Sequence, residues 1–223
     1  MDVEKIKNLV EFDTPTVANG LSLLGVRDDS YGYTGPDIRA LTPEFGARVG
    51  IAVTARMDTT SPGVEECDNL YKEWLQGMLD IARGAGNLPV FAVIESVGLR
   101  PRYTVTIGDG MGTQMRMAGA AGFITNGSVR DIEGLRGVPL ACWGAGLSPQ
   151  HGQMRWLDVH TTVVIDGMTV KPGDLIHADE NGAVAIPAQV ADQVCDKARA
   201  VRDRERDIFA GWTDKTIEEI LRE

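Results

Sequence analysis

The sequence predicts an α/β fold, and three segments carry that prediction. Residues 68–83 place apolar side chains at helical spacing, and residues 89–95 (PVFAVIE) form the continuous apolar run of a strand buried on both faces. Residues 108–125 then pass from a glycine-rich turn through a small-residue helix, expected over 113–121, to a strand at 122–125. This order of elements is a crossover, which joins parallel strands.

The region before this core is expected to contain two helices and a strand. A short helix is predicted at residues 6–10. Asp13 is expected to cap a second helix, which has Pro15 in its first turn and ends near Leu24. Residues 47–55 (ARVGIAVTA) alternate as a strand does, and the glycines, prolines and tyrosines before them predict a loop.

After about Trp156 the pattern predicts antiparallel strands. Residues 159–165 alternate, and Asp166-Gly167 is typical of a hairpin turn. Further strands are expected at 168–170, 175–178 and 183–186. The tail is expected to form an amphipathic helix over 188–211 and a short last helix over 214–222. Because no repeat or linker interrupts the chain, we expect one domain over residues 1–223.

The composition is typical of a soluble globular protein. Hydrophobic residues make up 43% of the chain and charged residues 24%. The net charge of −10 disfavours nucleic acid and anionic membranes as partners, because phosphate-binding surfaces need clustered Lys and Arg. The N-terminus does not resemble a signal peptide, and no apolar stretch is long enough to span a bilayer. Three widely spaced cysteines predict neither a disulfide framework nor a zinc site, which favours the cytoplasm.

Three common kinds of active site are excluded by the residues present. A Schiff-base aldolase needs a lysine in an apolar pocket, but all six lysines fall on polar helix faces or in a turn. A nucleophile-elbow hydrolase needs G-x-S-x-G, which does not occur. The three histidines, His151, His160 and His177, include no helical pair that could bind zinc.

The glycine-rich turn at residues 108–112 is a candidate anion site. It lies between a predicted strand and a helix, where successive backbone N–H groups can hold a carboxylate or an oxyanion. The alternative interpretation is a plain tight turn. A dinucleotide site is excluded, because G-x-G-x-x-G is not completed.

A second candidate segment is Arg130-Asp131, which follows the predicted strand at 122–125. Sites in sheet-and-crossover folds usually lie at the carboxyl ends of strands. An arginine can bind a carboxylate through two hydrogen bonds, and an aspartate is a hard oxygen ligand for Mg²⁺ or Mn²⁺. A solvated surface pair is the alternative for these two residues alone.

Together, the two segments resemble a known family. Asp109, twenty intervening residues and Arg130-Asp131 match the D-x20-R-D signature of the class II 4-hydroxy-4-methyl-2-oxoglutarate/4-carboxy-4-hydroxy-2-oxoadipate aldolases. These enzymes belong to the superfamily of the regulator of ribonuclease E activity A. The similarity covers most of the chain and includes residues 122–131 (GFITNGSVRD), Val138-Pro139 and residues 170–187 (VKPGDLIHADENGAVAIP).

The resemblance implies a role for each residue of the signature. Asp131 would be the protein ligand of a divalent metal, Mg²⁺ or Mn²⁺, with water and substrate in most other positions. Arg130 would contact the keto oxygen of the substrate and stabilise the developing enolate. Asp109 would hold water at the metal and help to position or accept a proton.

The resemblance also implies contributions from the main chain and from a second subunit. The backbone N–H groups of Gly110, Met111 and Gly112 would bind the carboxylate of a pyruvyl group. A glutamate from the C-terminal helix of a neighbouring subunit is expected, and Glu205 is the best candidate. The C-terminal helices, at about residues 188–223, would therefore contact that neighbour in a homotrimer or homohexamer.

The implied fold is a mixed central sheet with flanking helices on both sides, of the swivelling β/β/α type. The implied activity is that of a metal-dependent lyase. It would cleave a 4-hydroxy-2-oxo acid with release of pyruvate, decarboxylate oxaloacetate, or do both, through a metal-stabilised enolate. The residue types agree, because a site without a Schiff-base lysine needs a metal and a cationic donor as its electron sink. The alternatives are a non-catalytic protein that binds a ribonuclease, and a different metal-enolate reaction on another small acid.

Two segments, residues 95–106 and 62–70, depart from the family pattern, so the substrate can differ from those of the named aldolases. Arg100 and Arg102 either bind a distal carboxylate or are surface charges.

Three other titratable residues are considered for a role in the site. A site role for His151 is left open. His177 and Asp179 lie in a turn-rich segment and are expected to be structural.

Overall fold

The computed structural model describes residues 2–61, 68–84 and 87–222. Its helices are Val3–Asn8 (α1), Thr14–Ser22 (α2), Asp68–Gly84 (α3), Asp109–Met117 (α4), Ile132–Gly137 (α5), Ala191–Trp212 (α6) and Ile217–Ile220 (α7). Its strands are Arg39–Ala40 (β1), Arg48–Asp58 (β2), Val90–Val97 (β3), Val105–Ile107 (β4), Ala120–Thr125 (β5), Ser128–Val129 (β6), Ala141–Gly144 (β7), Gly146–Leu147 (β8), Arg155–Val159 (β9), Val163–Ile165 (β10), Met168–Val170 (β11), Leu175–Asp179 (β12) and Gly182–Ile186 (β13). None of the described helices is long and apolar enough to cross a membrane.

The central sheet is mixed, with strand order β1-β7-β5-β3-β2-β12-β13. Strands β2, β3, β5 and β7 are parallel to one another, as the predicted crossovers require, whereas β1, β9, β12 and β13 pair antiparallel. Strand β2 has eleven residues. It pairs with β12 near its start, where Ile51 lies opposite Leu175, and with β9 near its end, where Ala55 lies opposite Val159.

The layers on the two faces of this sheet differ. On one face, Val53 and Ala55 pack against Trp74 of α3, and the same face packs against α1, α2 and α6 at its other end. On the opposite face, Ala52 packs against the hairpin β10–β11, whose Val163 is buried. The predicted mixed sheet with flanking helices is confirmed. Helices on both sides are not observed in the described residues, because the alternating apolar side chains of the hairpin cover the second face.

A second, smaller sheet consists of three parallel strands in the order β4-β6-β8. The N–H of Arg130, just after β6, donates to the carbonyl of Ile107 in β4 over 3.1 Å. The N–H of Ser148, just after β8, donates to Val129 over 3.1 Å. This sheet brings the residues that follow its three strands together, and the sequence did not predict it.

Two buried polar residues tie the N-terminal helices to the central sheet. The N–H of Thr14 donates to the carboxylate of Asp179 over 2.8 Å, and its hydroxyl lies 3.0 Å from Nδ1 of His177. Nε2 of His177 lies 3.1 Å from the carbonyl oxygen of Leu9. The structural role expected for both residues is confirmed.

Several predicted boundaries shift. Helix α4 begins at Asp109, so the glycine-rich turn forms the first turn of that helix instead of preceding it, and β5 begins at Ala120. The single strand expected over 159–165 is interrupted, because His160 adopts a left-handed conformation with φ of 54°. Most of the variant segment at 62–70 lies outside the described residues.

Candidate active site

A cleft of about 270 Å³ opens beside the small sheet. Its lining residues are Gly108, Asp109, Gly110, Met111, Arg130, Asp131, His151 and Met154. The cleft thus contains both segments of the D-x20-R-D signature, together with two residues of the loop between β8 and β9. The two signature segments lie together because β4 and β6 pair in parallel and each segment directly follows one of these strands.

The N-terminus of α4 forms one wall of the cleft. Gly108 is the N-cap, and the first helical hydrogen bond joins the N–H of Gly112 to the carbonyl of Gly108 over 2.9 Å. The N–H groups of Asp109, Gly110 and Met111 therefore have no acceptor within the helix and are available to an anion. The prediction that the N–H of Gly112 binds a carboxylate is wrong, because this N–H already donates to the carbonyl of Gly108. A Cβ at that position would overlap the side chain of Leu135, so this glycine serves the packing of α4 on α5.

Asp131 has an unusual backbone conformation. Its φ of 55° and ψ of 43° are left-handed, which is uncommon for a residue other than glycine. It is the N-cap residue of α5, yet its side chain makes no capping hydrogen bond. Strained residues of this kind cluster at functional sites, where the surrounding structure holds them in place.

Arg130 lies beside this carboxylate. Its Nε is 3.1 Å from Oδ2 of Asp131, and the two side chains are 35% and 42% exposed. This contact is an ion pair and not an aligned hydrogen bond. Nε is buried and has no hydrogen-bond partner. An exposed pair of this kind contributes at most about 1 kcal/mol to stability. Its geometry leaves the guanidinium able to donate to a ligand.

Asp109 faces the start of α5. A Cβ at Gly134 would lie 2.6 Å from Oδ2 of Asp109, so the glycine leaves room for this carboxylate. Asp109 and Asp131 both line the cleft. Within the described part of the chain, no three His, Cys, Asp or Glu residues form a metal-binding group. The donor set nevertheless fits Mg²⁺ or Mn²⁺, because Mg²⁺ is commonly held by one or two carboxylates and keeps several waters.

Other residues singled out from the sequence lie elsewhere. Glu205 lines a separate groove formed by α6 and the start of α2, with Phe12 and Phe209. It is not brought to the cleft within one chain. Arg102 forms ion pairs with Asp37 and with Asp166, the latter at 2.8 Å.

Arg100 is likewise outside the cleft. Its guanidinium lies 4.5 Å from the ring centroid of Tyr103, in a cation–π contact. His151 and Met154 are the lining residues that the sequence did not assign, since the two-residue strand β8 before them gives no periodic signal.

The fold and the cleft define an α/β protein with a helix N-terminus, an arginine and two carboxylates at one site. A family model described as RraA-like, Aldolase/RraA, matches residues 14–185. The chain belongs to this family, which includes aldolases and inhibitors of ribonuclease E. The family recognised from the sequence is thereby confirmed.

Individual relatives are more distant. "Uncharacterized protein MJ0644" of Methanocaldococcus jannaschii is 28% identical over 120 residues, which are 53% of this chain and 57% of that protein. A Xanthomonas campestris pv. campestris protein named "Putative 4-hydroxy-4-methyl-2-oxoglutarate aldolase" is 36% identical over 88 residues, 39% of this chain and 53% of that protein. The matched segments span about half the length of these two relatives.

The solved structure of Streptomyces coelicolor RraAS2 shares the fold. It is described as an unusual member of the RNase ES inhibitor RraA protein family, and it superposes with a TM-score of 0.73 at 24% identity. The match covers 92% of this chain and 96% of that chain.

Proposed function

We propose that this protein is a divalent-metal-dependent lyase that breaks a carbon–carbon bond of a small 2-oxo acid. The substrate would be a 4-hydroxy-2-oxo acid, cleaved with release of pyruvate, or oxaloacetate, decarboxylated to pyruvate. The observation that supports this best is the single cleft containing Arg130, the left-handed Asp131 and the free N–H groups at the start of α4.

Each part of the cleft suits one part of the substrate. The N–H groups of Gly110 and Met111 would bind the carboxylate of the pyruvyl group, because a helix N-terminus favours an anion. Arg130 would donate to the keto oxygen, where negative charge develops as the bond breaks. Asp109 would orient water beside the reacting atoms. These contacts fix the substrate in one orientation, which lowers the entropic part of the barrier.

Asp131 would hold Mg²⁺ or Mn²⁺, with Asp109 beside it. When bound, such a cation acts as a Lewis acid that polarises the keto oxygen. The left-handed backbone of Asp131 and the absence of a capping hydrogen bond leave its carboxylate uncommitted to the helix it precedes.

A neighbouring subunit would complete the site. We propose that Glu205 of that neighbour reaches the cleft, in a homotrimer or homohexamer built through the C-terminal helices. Exposed apolar side chains near the end of the chain support such a contact: Ile208, Phe209, Trp212, Ile217 and Leu221. Loss of activity in Glu205→Gln with unchanged assembly, measured by light scattering, would support this role, whereas unchanged activity would refute it.

A ribonuclease-binding role is the second possibility within the family, and one feature favours catalysis over it. Asp109 and Asp131 are held in a concave site beside an arginine whose Nε has no hydrogen-bond partner. A surface that only binds another protein needs no such arrangement.

The decisive experiment measures pyruvate release from oxaloacetate and from 4-hydroxy-4-methyl-2-oxoglutarate with Mg²⁺, with Mn²⁺ and with EDTA. The test variant is Asp131→Asn, since asparagine tolerates the left-handed backbone. Asp80→Asn on the exposed surface of α3 is the matched control. We expect metal-dependent pyruvate release by the wild-type protein. Asp131→Asn should abolish this release, and Asp80→Asn should retain it. No release from either substrate by the folded, metal-supplied protein would refute the proposed function.

A further inference from the structure

His151 lines the cleft but has no hydrogen-bond partner among the described residues. Its Nδ1 is buried and unpaired. A buried polar atom without a partner costs about 1–3 kcal/mol, and a catalytic role is one of the recognised explanations for such an atom in a native protein. No group among the described residues satisfies this nitrogen.

The loop around His151 is fixed by contacts on both sides of this residue. Before it, the carbonyl of Gln150 accepts from the N–H of Val105 in β4 over 3.1 Å, and the hydroxyl of Ser148 donates to the carbonyl of Tyr103 over 3.0 Å. After it, Gly152 has a φ of 63° and lies so close to the carbonyl of Thr59 that no side chain would fit. The imidazole is thus positioned by backbone contacts on both sides, without a hydrogen bond of its own.

The other polar groups of the cleft already have a proposed task. The helix N-terminus suits the substrate carboxylate, and Arg130 with Asp131 suits the keto oxygen and the metal. Asp109 is directed toward Gly134 at the start of α5. Met111 and Met154 are apolar. His151 is the polar side chain that remains among the residues lining the cleft.

We propose that His151 accepts the proton of the C4 hydroxyl when a 4-hydroxy-2-oxo acid is cleaved, a role that rests on the proposed lyase function. The O–H bond breaks and its proton passes to the imidazole, while the O–H electron pair forms the new C4 carbonyl. The C3–C4 bond breaks, and its electron pair moves toward C2 and the keto oxygen to give the enolate of pyruvate. The proton then passes to C3, which yields pyruvate and restores the neutral imidazole.

This role predicts an effect on one reaction only. Oxaloacetate has no C4 hydroxyl, because its C3–C4 bond breaks by loss of CO₂. Its decarboxylation therefore needs the carboxylate site, Arg130 and the metal, but not His151. A residue that merely supported the shape of the cleft would affect both reactions.

The test compares wild-type protein with His151→Gln, which keeps a hydrogen-bonding side chain but cannot accept the proton. His160→Asn is the control, since His160 lies outside the cleft at a left-handed position that asparagine tolerates. We measure kcat on 4-hydroxy-4-methyl-2-oxoglutarate and on oxaloacetate with Mg²⁺, together with oxalate affinity by calorimetry. Loss of a general base predicts about a 100-fold or larger fall in kcat for the hydroxy acid alone. Decarboxylation and oxalate affinity should be retained.

Each other outcome has a defined meaning. Equal losses on both substrates, or a parallel loss of oxalate affinity, overturn the role of His151 and leave the lyase assignment intact. A wild-type protein that decarboxylates oxaloacetate but never cleaves the hydroxy acid also overturns it. If the wild-type protein cleaves only the hydroxy acid, a fall in kcat with retained oxalate affinity in His151→Gln supports the role, and an unchanged kcat overturns it. No turnover of either substrate refutes the proposed function, and the role of His151 with it.

Discussion

The carboxylate of Asp131 occupies the space beside Gly108 where a side chain would begin. A Cβ at position 108 would lie 2.6 Å from Oδ2 of Asp131 and 3.1 Å from Nε of Arg130. The backbone of Gly108, with φ of −128°, is accessible to any residue. The glycine is therefore required by the neighbouring charged groups and not by its own conformation.

Gly108→Ala is expected to reduce activity while leaving the fold intact. The added methyl group must displace the carboxylate of Asp131 or the side chain of Arg130, and a misplacement of about 1 Å can cost on the order of 100-fold in rate. The measurement is kcat/KM for pyruvate release, alongside thermal unfolding. Gly137→Ala, where a Cβ meets no atom within 4 Å, is the control and should behave as wild type. Equal activity of the two variants would contradict this account.

Two substitutions at Asp131 should separate charge from backbone strain. Both Asp131→Asn and Asp131→Ala remove the carboxylate, so both should lose metal-dependent activity. Alanine tolerates φ of 55° less well than asparagine, so Asp131→Ala should also lose about 1 kcal/mol of unfolding free energy. Urea unfolding without metal provides the measurement. Equal stability of the two variants would show that the left-handed backbone relaxes.

The buried His177 predicts a pH dependence of stability. Burial lowers its pKa below the ordinary value of 6.5. Below about pH 6.5 the unfolded chain therefore binds a proton that the folded chain does not. As the pH is lowered below this value, the unfolding free energy should fall by up to about 1.4 kcal/mol per pH unit, until the pH reaches the folded-state pKa. Above that range this contribution is fully present.

Urea unfolding of wild type and His177→Gln between about pH 5 and pH 8 tests this linkage. The difference in unfolding free energy between the two proteins should change with pH below about 6.5 and stay constant above it. His160→Asn, at an exposed histidine, should keep the wild-type profile. A constant difference across the range would exclude His177 as the source.

Gly20→Ala is expected to destabilise the packing of α2 on α6. A Cβ at Gly20 would lie 2.9 Å from the backbone nitrogen of Ala198, and a backbone atom cannot move aside as a side-chain tip can. Overpacking of this kind typically costs about 1–3 kcal/mol. Gly211→Ala, in the open end of α6, should be neutral or slightly stabilising, because alanine favours helices. Thermal unfolding of the two variants and the wild-type protein measures these changes in stability.

The sequence predicted the longer strands of the central sheet and the hairpin that packs on it, but not the two-residue strand β1. Residues 89–95 and the Asp166-Gly167 turn each carry a local signal, and both appear in the structure, as β3 and as the β10–β11 turn. The small sheet was missed because β4 has three residues and β6 and β8 have two each. Periodicity needs at least about four residues to be recognised.

The residues of the candidate site also fall into those that the sequence could predict and those that it could not. Asp109 and Arg130-Asp131 could be paired from the sequence because their separation matches the signature of the family that the chain resembles. His151 could not be assigned, since its place in the cleft depends on Gln150 pairing with Val105, more than forty residues away along the chain. Glu205 shares no groove with the signature within one chain, so its role depends on assembly.

The loop between β8 and β9 contributes two residues to the cleft, yet it is anchored at both ends by main-chain pairing. Ser148 is bonded to Val129 at one end, and Arg155 pairs with Asp58 of β2 at the other. The side chains at positions 151 and 154, which line the cleft, can therefore change without altering the sheets that hold the signature residues. The chemistry of the cleft can thus be altered from this loop while the arginine–aspartate pair keeps its place beside the small sheet.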